Sequence, residues 1–304
     1  MAAAVAEAER VQPAESHGVV AAVRAILSVP DAELDYGKAK LALDHLVDPG
    51  FDPAAVMAEL DAMAARALEM AGSVADDEAR LAALRRLIYR SGPWNGHRPF
   101  AYDHDNHKGA NVRVKLISHY LATRRGDCVS MPILFLILAE KLGIDMRLAS
   151  APCHVFLRYR NAEGRMVNLE ATGGADPARD IWLIRTLGIS ARSIASGLYM
   201  QTLSRREGIA LMAMANIQHL RDSRRYEEGI AVCEAILEHY PRNALALVNM
   251  GGMYERILRR DFLDRYGMQA LVPIHLQPRY QFLWCRNRAI FTTAFALGWE
   301  PETG

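Results

Sequence analysis

Arg125-Gly126-Asp127-Cys128-Val129-Ser130-Met131-Pro132, followed by Ile133-Leu134-Phe135-Leu136-Ile137-Leu138-Ala139, reads as a glycine turn running into an apolar helix, with a cysteine at the junction. Pro132 lacks an N–H and would clash with the preceding turn deep in a helix, so the helix starts within a few residues of Cys128. Gly143 ends it. The body is apolar on all sides, which predicts a buried central helix. A helix start offers unpaired N–H groups and the positive end of the dipole. Both favour a thiolate, the form of cysteine that attacks carbonyl carbon.

The period changes over 146–172. His154, Phe156 and Arg158 alternate with Val155, Leu157 and Tyr159, and Val167 and Leu169 alternate with Met166, Asn168 and Glu170, which predicts two strands. Between them a three-residue loop, Ala162-Glu163-Gly164 with Gly in the left-handed position, is a favoured hairpin connection. It pairs Asn161 with Arg165, Phe156 with Glu170 and His154 with Thr172. His154 and Glu170 then share a face as diagonal neighbours, with Cβ atoms ~7–8 Å apart. A two- or four-residue loop would separate them. On this register Cys128, His154 and Glu170 are nucleophile, base and orienting carboxylate in chain order.

The flanking regions are helical. Residues 1–16 are Ala- and Glu-rich and are expected to be disordered. Residues 19–89 show helical spacing, with Asp52-Pro53 a helix start and a further helix over 76–89. Prolines and glycines make 91–109 a loop, and 112–122 reads as another helix. From about 195 the pattern is helical again, over 209–220, 226–239 and 243–258. Leu247, Met250, Gly251 and Tyr254, with Gly229 in the preceding unit, fall at tetratricopeptide-like spacing. The tail from 259 does not continue it. The implied division is a disordered N-terminus (1–16), a core with N-terminal helices (17–194) and a helical, tetratricopeptide-like domain (195–304).

Composition narrows the function classes. The 304 residues carry a formal net charge of +1, so neither nucleic acid nor an anionic membrane is indicated as partner. The longest apolar run stops at Glu140-Lys141, short of a membrane span. The first ten residues carry acids and no apolar core, unlike a signal peptide. Four irregularly spaced cysteines suit a reducing compartment, and the chain reads as cytoplasmic.

A cysteine on a helix start, a histidine on a strand and an acid on the next strand resemble the transglutaminase-like, papain-fold superfamily. The wording is close in His154-Val155-Phe156-Leu157-Arg158 and in Val167-Asn168-Leu169-Glu170-Ala171-Thr172. Arg124-Arg125-Gly126, Leu142-Gly143-Ile144 and Pro152-Cys153-His154 are similar to the core of bacterial SirB-type proteins, over roughly residues 35–260. The resemblance implies an α+β fold: a transglutaminase-like (papain-fold) core with the buried helix on a small antiparallel sheet, a helical N-terminal segment and tetratricopeptide-like C-terminal helices. Many SirB-type relatives lack the nucleophile cysteine, which is present here as Cys128. The usual Asp is replaced by Glu170, which leaves the third role open between Glu170 and Asn168. The resemblance also places Trp94, Tyr102 and Asn106 at the border of the cleft.

Other residues carry weaker signals. His97, His104, His107 and His119, with Asp103 and Asp105, invite a metal reading, but the spacing is that of a polar loop and no zinc pattern is present. No metal or cofactor is expected. Cys153, Cys233 and Cys285 read as packing residues, and Arg205, Arg206, Arg221, Arg224 and Arg225 as a solvated helix face. The function indicated is a cysteine-dependent acyl-transfer enzyme, hydrolase, protease/amidase or transglutaminase-like, acting on a protein or peptide through Cys128, His154 and Glu170. The alternative is a non-catalytic interaction scaffold with a degenerate core.

Overall fold

The computed structural model of the chain describes residues 16–73, 76–106 and 109–301. Its elements are α1 (Ser16–Leu27), α2 (Tyr36–His45), α3 (Pro53–Ala71), α4 (Asp77–Tyr89), β1 (Ala101–Tyr102), α5 (Ile117–Thr123), β2 (Arg125–Gly126), α6 (Ser130–Lys141), β3 (Met146–Ala151), β4 (His154–Arg160), β5 (Met166–Glu170), β6 (Asp176–Ala178), α7 (Asp180–Thr186), α8 (Ala191–Ala195), α9 (Arg205–Met212), α10 (Met214–Asp222), α11 (Tyr226–His239), α12 (Ala244–Leu258) and α13 (Gln277–Ala296), joined by loops and short helical turns. The disordered segment expected over 1–16 lies outside the described residues, except that Ser16 opens α1.

Helix α6 is enclosed. Every residue from Ser130 to Ala139 is buried, covered by α2, α3, α4, β3 and β4. Each large apolar side chain so buried contributes roughly 1.5–3 kcal/mol. Phe135 stacks on Tyr89 of α4 with ring centroids 6.1 Å apart. The helix starts read from sequence are capped as their chemistry demands: Asp52 accepts from the Ala54 N–H at 2.9 Å and Asp76 from the Ala79 N–H at 2.8 Å. The helix expected over 112–122 is instead a 3-10 turn, Val112–Lys115, followed by α5. Leu116 between them is extended, and the Ile117 N–H donates to buried Asp44 at 2.8 Å.

The sheet runs β3-β4-β5-β6 with antiparallel neighbours. Strands β4 and β5 pair from Leu157 with Leu169 to Arg160 with Met166. The Asn161 N–H donates to the Arg165 carbonyl at 3.0 Å, and Gly164 has φ +73°. This is the register of the three-residue loop, because only a residue free of a Cβ adopts the left-handed position at no cost. Strands β1 and β2 form a separate parallel pair inside what reads from sequence as loop.

The C-terminal helices share the core of the rest. One apolar cluster runs from Val23 of α1 to Ala294 of α13. Helices α11 and α12 approach so closely that a Cβ on Gly229 would lie 2.4 Å from Met253 Sδ. The tail contributes α13, which packs along α12 with Phe291 against Gly251. Two of the five arginines read as a solvated face instead clamp segments distant in sequence: Arg205 pairs with Glu140, and Arg206 with Asp31. Arg205 also lies over the Tyr36 ring, 4.7 Å from its centroid. Among the described residues, no helix is long and apolar enough to cross a membrane.

Phe135→Ala is expected to lower the unfolding free energy by about 3–5 kcal/mol, the cost of an aromatic cavity in a close-packed core. Chemical denaturation of the two proteins, with unchanged m-value, measures it.

Candidate active site

Asp127 sets the position of Cys128. Its carboxylate accepts from the N–H groups of Val129 and Ser130, at 2.9 and 3.0 Å, and its carbonyl accepts from the Met131 N–H at 3.1 Å. That is a helix cap, with Cys128 as the first residue after it. The regular hydrogen-bond pattern of α6 begins only at Ser130, because Pro132 has no N–H to give to the Cys128 carbonyl. Ser130 Oγ accepts the Asp127 N–H at 3.0 Å, which closes the cap reciprocally. Gly126 is forced by space: a Cβ there would lie 2.6 Å from both Ser130 Oγ and the Tyr120 ring.

Behind the cap stands a buried chain of charges. Lys115 Nζ lies 3.4 Å from the second Asp127 oxygen and donates to the Gly109 carbonyl at 2.8 Å. Gln218 of α10 donates to the Gly109 and Ala110 carbonyls, both at 3.0 Å. The Lys115 carbonyl accepts from Lys40 Nζ at 3.0 Å, and Lys40 pairs with Asp44 at 2.6 Å. Lys40 and Asp44 are wholly buried. Removing one partner of such a pair strands the other charge.

The cap works against the thiolate that a bare helix start would favour. The N–H groups of Val129 and Ser130 are already taken by a carboxylate. Burial first, then the negative charges of Asp127 and Glu170 and the neighbouring Cys153 thiol, push the Cys128 thiol up to about 12, and Lys115 offsets this only in part. The thiol donates to the Cys153 carbonyl at 3.5 Å. Cys153 is not a core residue as its strand alternation suggested. It occupies the two-residue turn between β3 and β4, exposed and with φ +50°. Cys285 is also exposed, and Cys233 is buried.

His154 follows that turn as the first residue of β4. Its Nε2 lies 2.7 Å from Glu170 Oε2. The other Glu170 oxygen accepts from the Thr172 N–H at 2.9 Å and the Thr172 hydroxyl at 2.6 Å. Burial alone would push the Glu170 carboxyl up, but the hydrogen bond and charge of His154 and the two Thr172 donors outweigh it and hold the group below its usual range. Asn168 is engaged elsewhere. It accepts from Arg158 Nε at 2.8 Å and donates to the Ala178 carbonyl and to Asp180 at 3.1 and 2.5 Å.

The three residues placed at the cleft border separate. Tyr102 lines the space beside the site, and burial first, then the nearby Cys128 thiol and the acids Asp127 and Asp103, push its hydroxyl up. Trp94 packs under Arg86, 4.1 Å from guanidinium to ring centroid, and donates from its indole to the Arg86 and Arg90 carbonyls. Asn106 accepts from the Asn111 N–H at 2.9 Å within its own loop. His107 lies outside the described residues. Among the described residues, no group of three or more His, Cys, Asp or Glu is arranged to hold a metal ion. The sequence reading missed Lys115, Thr172 and the cap. Asp127 followed three residues later by Ser130 at a helix start is the signal that was there to be read.

Residues 54–180 match the family model described as the Transglutaminase-like superfamily. That stretch is transglutaminase-like, and Cys128, His154 and Glu170 all fall inside it. No curated protein and no solved structure matches the chain.

Two outcomes follow from the electrostatics. Asp127→Asn keeps an acceptor on the cap but removes a negative charge beside the thiol, so Cys128 should be alkylated faster by iodoacetamide at a fixed pH near 9, as read by peptide mass spectrometry. Glu170 has a folded pKa below its unfolded value, so its stabilising contribution is complete above the unfolded carboxyl range and is lost as pH falls through the folded pKa. The stability difference between wild type and Glu170→Gln should therefore shrink on acidification below about pH 4. A difference that stays constant from pH 7 to pH 3 would contradict this.

Proposed function

We propose that the chain is a cysteine-dependent acyl-transfer enzyme of papain-like arrangement, with Cys128 as nucleophile, His154 as base and Glu170 as the group that orients it. The observation that carries this reading is the 2.7 Å contact of His154 Nε2 with a Glu170 carboxylate held by Thr172. It leaves Nδ1 as the nitrogen that takes a proton. The Cys128 thiol, which neighbours the Cys153–His154 peptide, gives its proton to that nitrogen and its sulfur bonds to the acyl carbon. His154 returns the proton to the departing amine, and water or a second amine then releases the thioester. The Cys128 N–H, which the Asp127 carboxylate does not engage, then stabilises the oxyanion.

A thiol pushed up to about 12 is not nucleophilic at rest. Reaction on this reading requires the sulfur to leave the Cys153 carbonyl and meet the imidazole when substrate binds, so the thiolate forms only in the act of attack. The same observation favours the second reading, a cytoplasmic interaction scaffold of SirB type in which the core is inert and the tetratricopeptide-like α11 and α12 bind a protein partner.

Trapping separates the two. Wild-type protein incubated with an activated acyl ester and examined by mass spectrometry should carry one acyl group on Cys128. Cys128→Ala should carry none there while unfolding at nearly the wild-type temperature. Loss of rate on replacement should follow the order Cys128 ≥ His154 > Glu170 > Asn168, with Glu170→Gln slowed through a misplaced imidazole tautomer. Acylation confined to the exposed Cys153 and Cys285 would establish the scaffold reading.

A further inference from the structure

Beside the candidate site lies an open cavity of about 690 Å³, bordered by α4, the β1–β2 pair and the turn after β5. It adjoins the site through shared neighbours. Thr172, which holds Glu170, and Met131, in the first turn of α6, both line it, as does Tyr102.

Its charge is one-sided. Arg85 and Arg86 of α4 and Arg90 just past its end line it together with Arg125 of β2, against a single acid, Asp176. The chain as a whole is nearly neutral, at +1, so this clustering is local. Arg85 is committed: it pairs with Asp176 and donates to the Gly174 carbonyl. Among the described residues, Arg86, Arg90 and Arg125 have no acidic partner. Burial and the neighbouring Arg90 charge lower the pKa of Arg85, opposed by Glu78.

We propose that this cavity binds an acidic peptide segment, with side-chain carboxylates on Arg86, Arg90 and Arg125. The spacing favours a chain over a single anion. Arg86 sits in the last turn of α4, Arg90 is the extended residue just past its end, and Arg125 lies on β2, so the cations come from three separate positions. Alternate side chains of an extended peptide repeat at about 6.5 Å. A lone phosphate needs donors converging on one point, whereas these guanidinia come from separate elements and Arg86 lies over the Trp94 ring. The inference rests on the acyl-transfer reading only in naming that peptide a substrate segment; the binding itself does not require it.

The test is fluorescence anisotropy on the full chain with a labelled hexapeptide of alternating Glu and Ala, compared with the same peptide carrying Gln. The acidic peptide should bind and the Gln peptide should not, and binding should weaken steeply with salt. The double variant Arg90→Gln/Arg125→Gln, both exposed positions, should weaken it about tenfold. Arg90→Lys/Arg125→Lys should retain most of it. Cys128→Ala should bind as wild type, so a failed acyl-trapping experiment with intact binding would sink the enzyme reading and leave this one standing. Equal affinity for the Glu and Gln peptides, or wild-type affinity in the double Gln variant, overturns the proposal. So does displacement of the acidic peptide by inorganic phosphate at an equal concentration, which would make phosphate the ligand.

Discussion

Side chains 130–139 of α6 reach water on no side, and a helix without a polar face has to be covered all round. That requirement recruits α2, α3 and α4 to one side and β3 and β4 to the other. Once both are in place, the N-terminal end of α6 and the β3–β4 turn can only meet. Cys128 therefore comes to the Cys153 carbonyl, with His154 the next residue along. The site is a by-product of how the most apolar segment is enclosed, which is why a close-packed core rather than a mobile loop sets its geometry.

The end of such a helix is its one polar feature, and Asp127 uses it. A cap carboxylate and a nucleophilic thiolate compete for the same N–H groups and the same dipole. Here the carboxylate has two of them, and Lys115, Gly109 and Gln218 brace it from behind. The cost falls on the thiol, which stays protonated. Because Gln218 belongs to α10, the C-terminal helices take part in holding the cap, and Arg205 and Arg206 bind the same region to α6 and to the turn after α1. The boundary drawn near 194 is thus crossed by both core and polar contacts.

What could be read in the residues was whatever depends on local period and turn chemistry. Gly164 alone determines the loop length, the loop length determines the β4–β5 register, and the register puts Glu170 beside His154. Helix α11 spans 226–239 as its periodicity indicates. What could not be read depends on distant partners. The 112–122 helix breaks at Leu116, where the Ile117 N–H serves Asp44, 73 positions away in the chain. Cys153 looked like a strand residue because alternation cannot show that a Pro-Cys pair is a turn tip. Arginines 205 and 206 looked solvated because their acceptors, Glu140 and Asp31, lie on elements far upstream. The β1–β2 pairing is too short for any alternation to show.

The electrostatics divide the region into two halves. Around Cys128 the fixed charges are mainly negative, from Asp127 and Glu170, with Lys115 turned to the cap. One wall away, past Thr172 and Tyr102, they are positive. A ligand with a neutral end and an acidic end experiences opposite forces from the two halves and has one favourable orientation, with its carboxylates over the arginines and its neutral end toward the thiol. An acidic group placed at Cys128 would raise the thiol further and oppose its ionisation, so the arrangement also excludes the reversed pose. Charge placement across the two halves thus sets direction along the cleft, while the packing of α6 sets position within it.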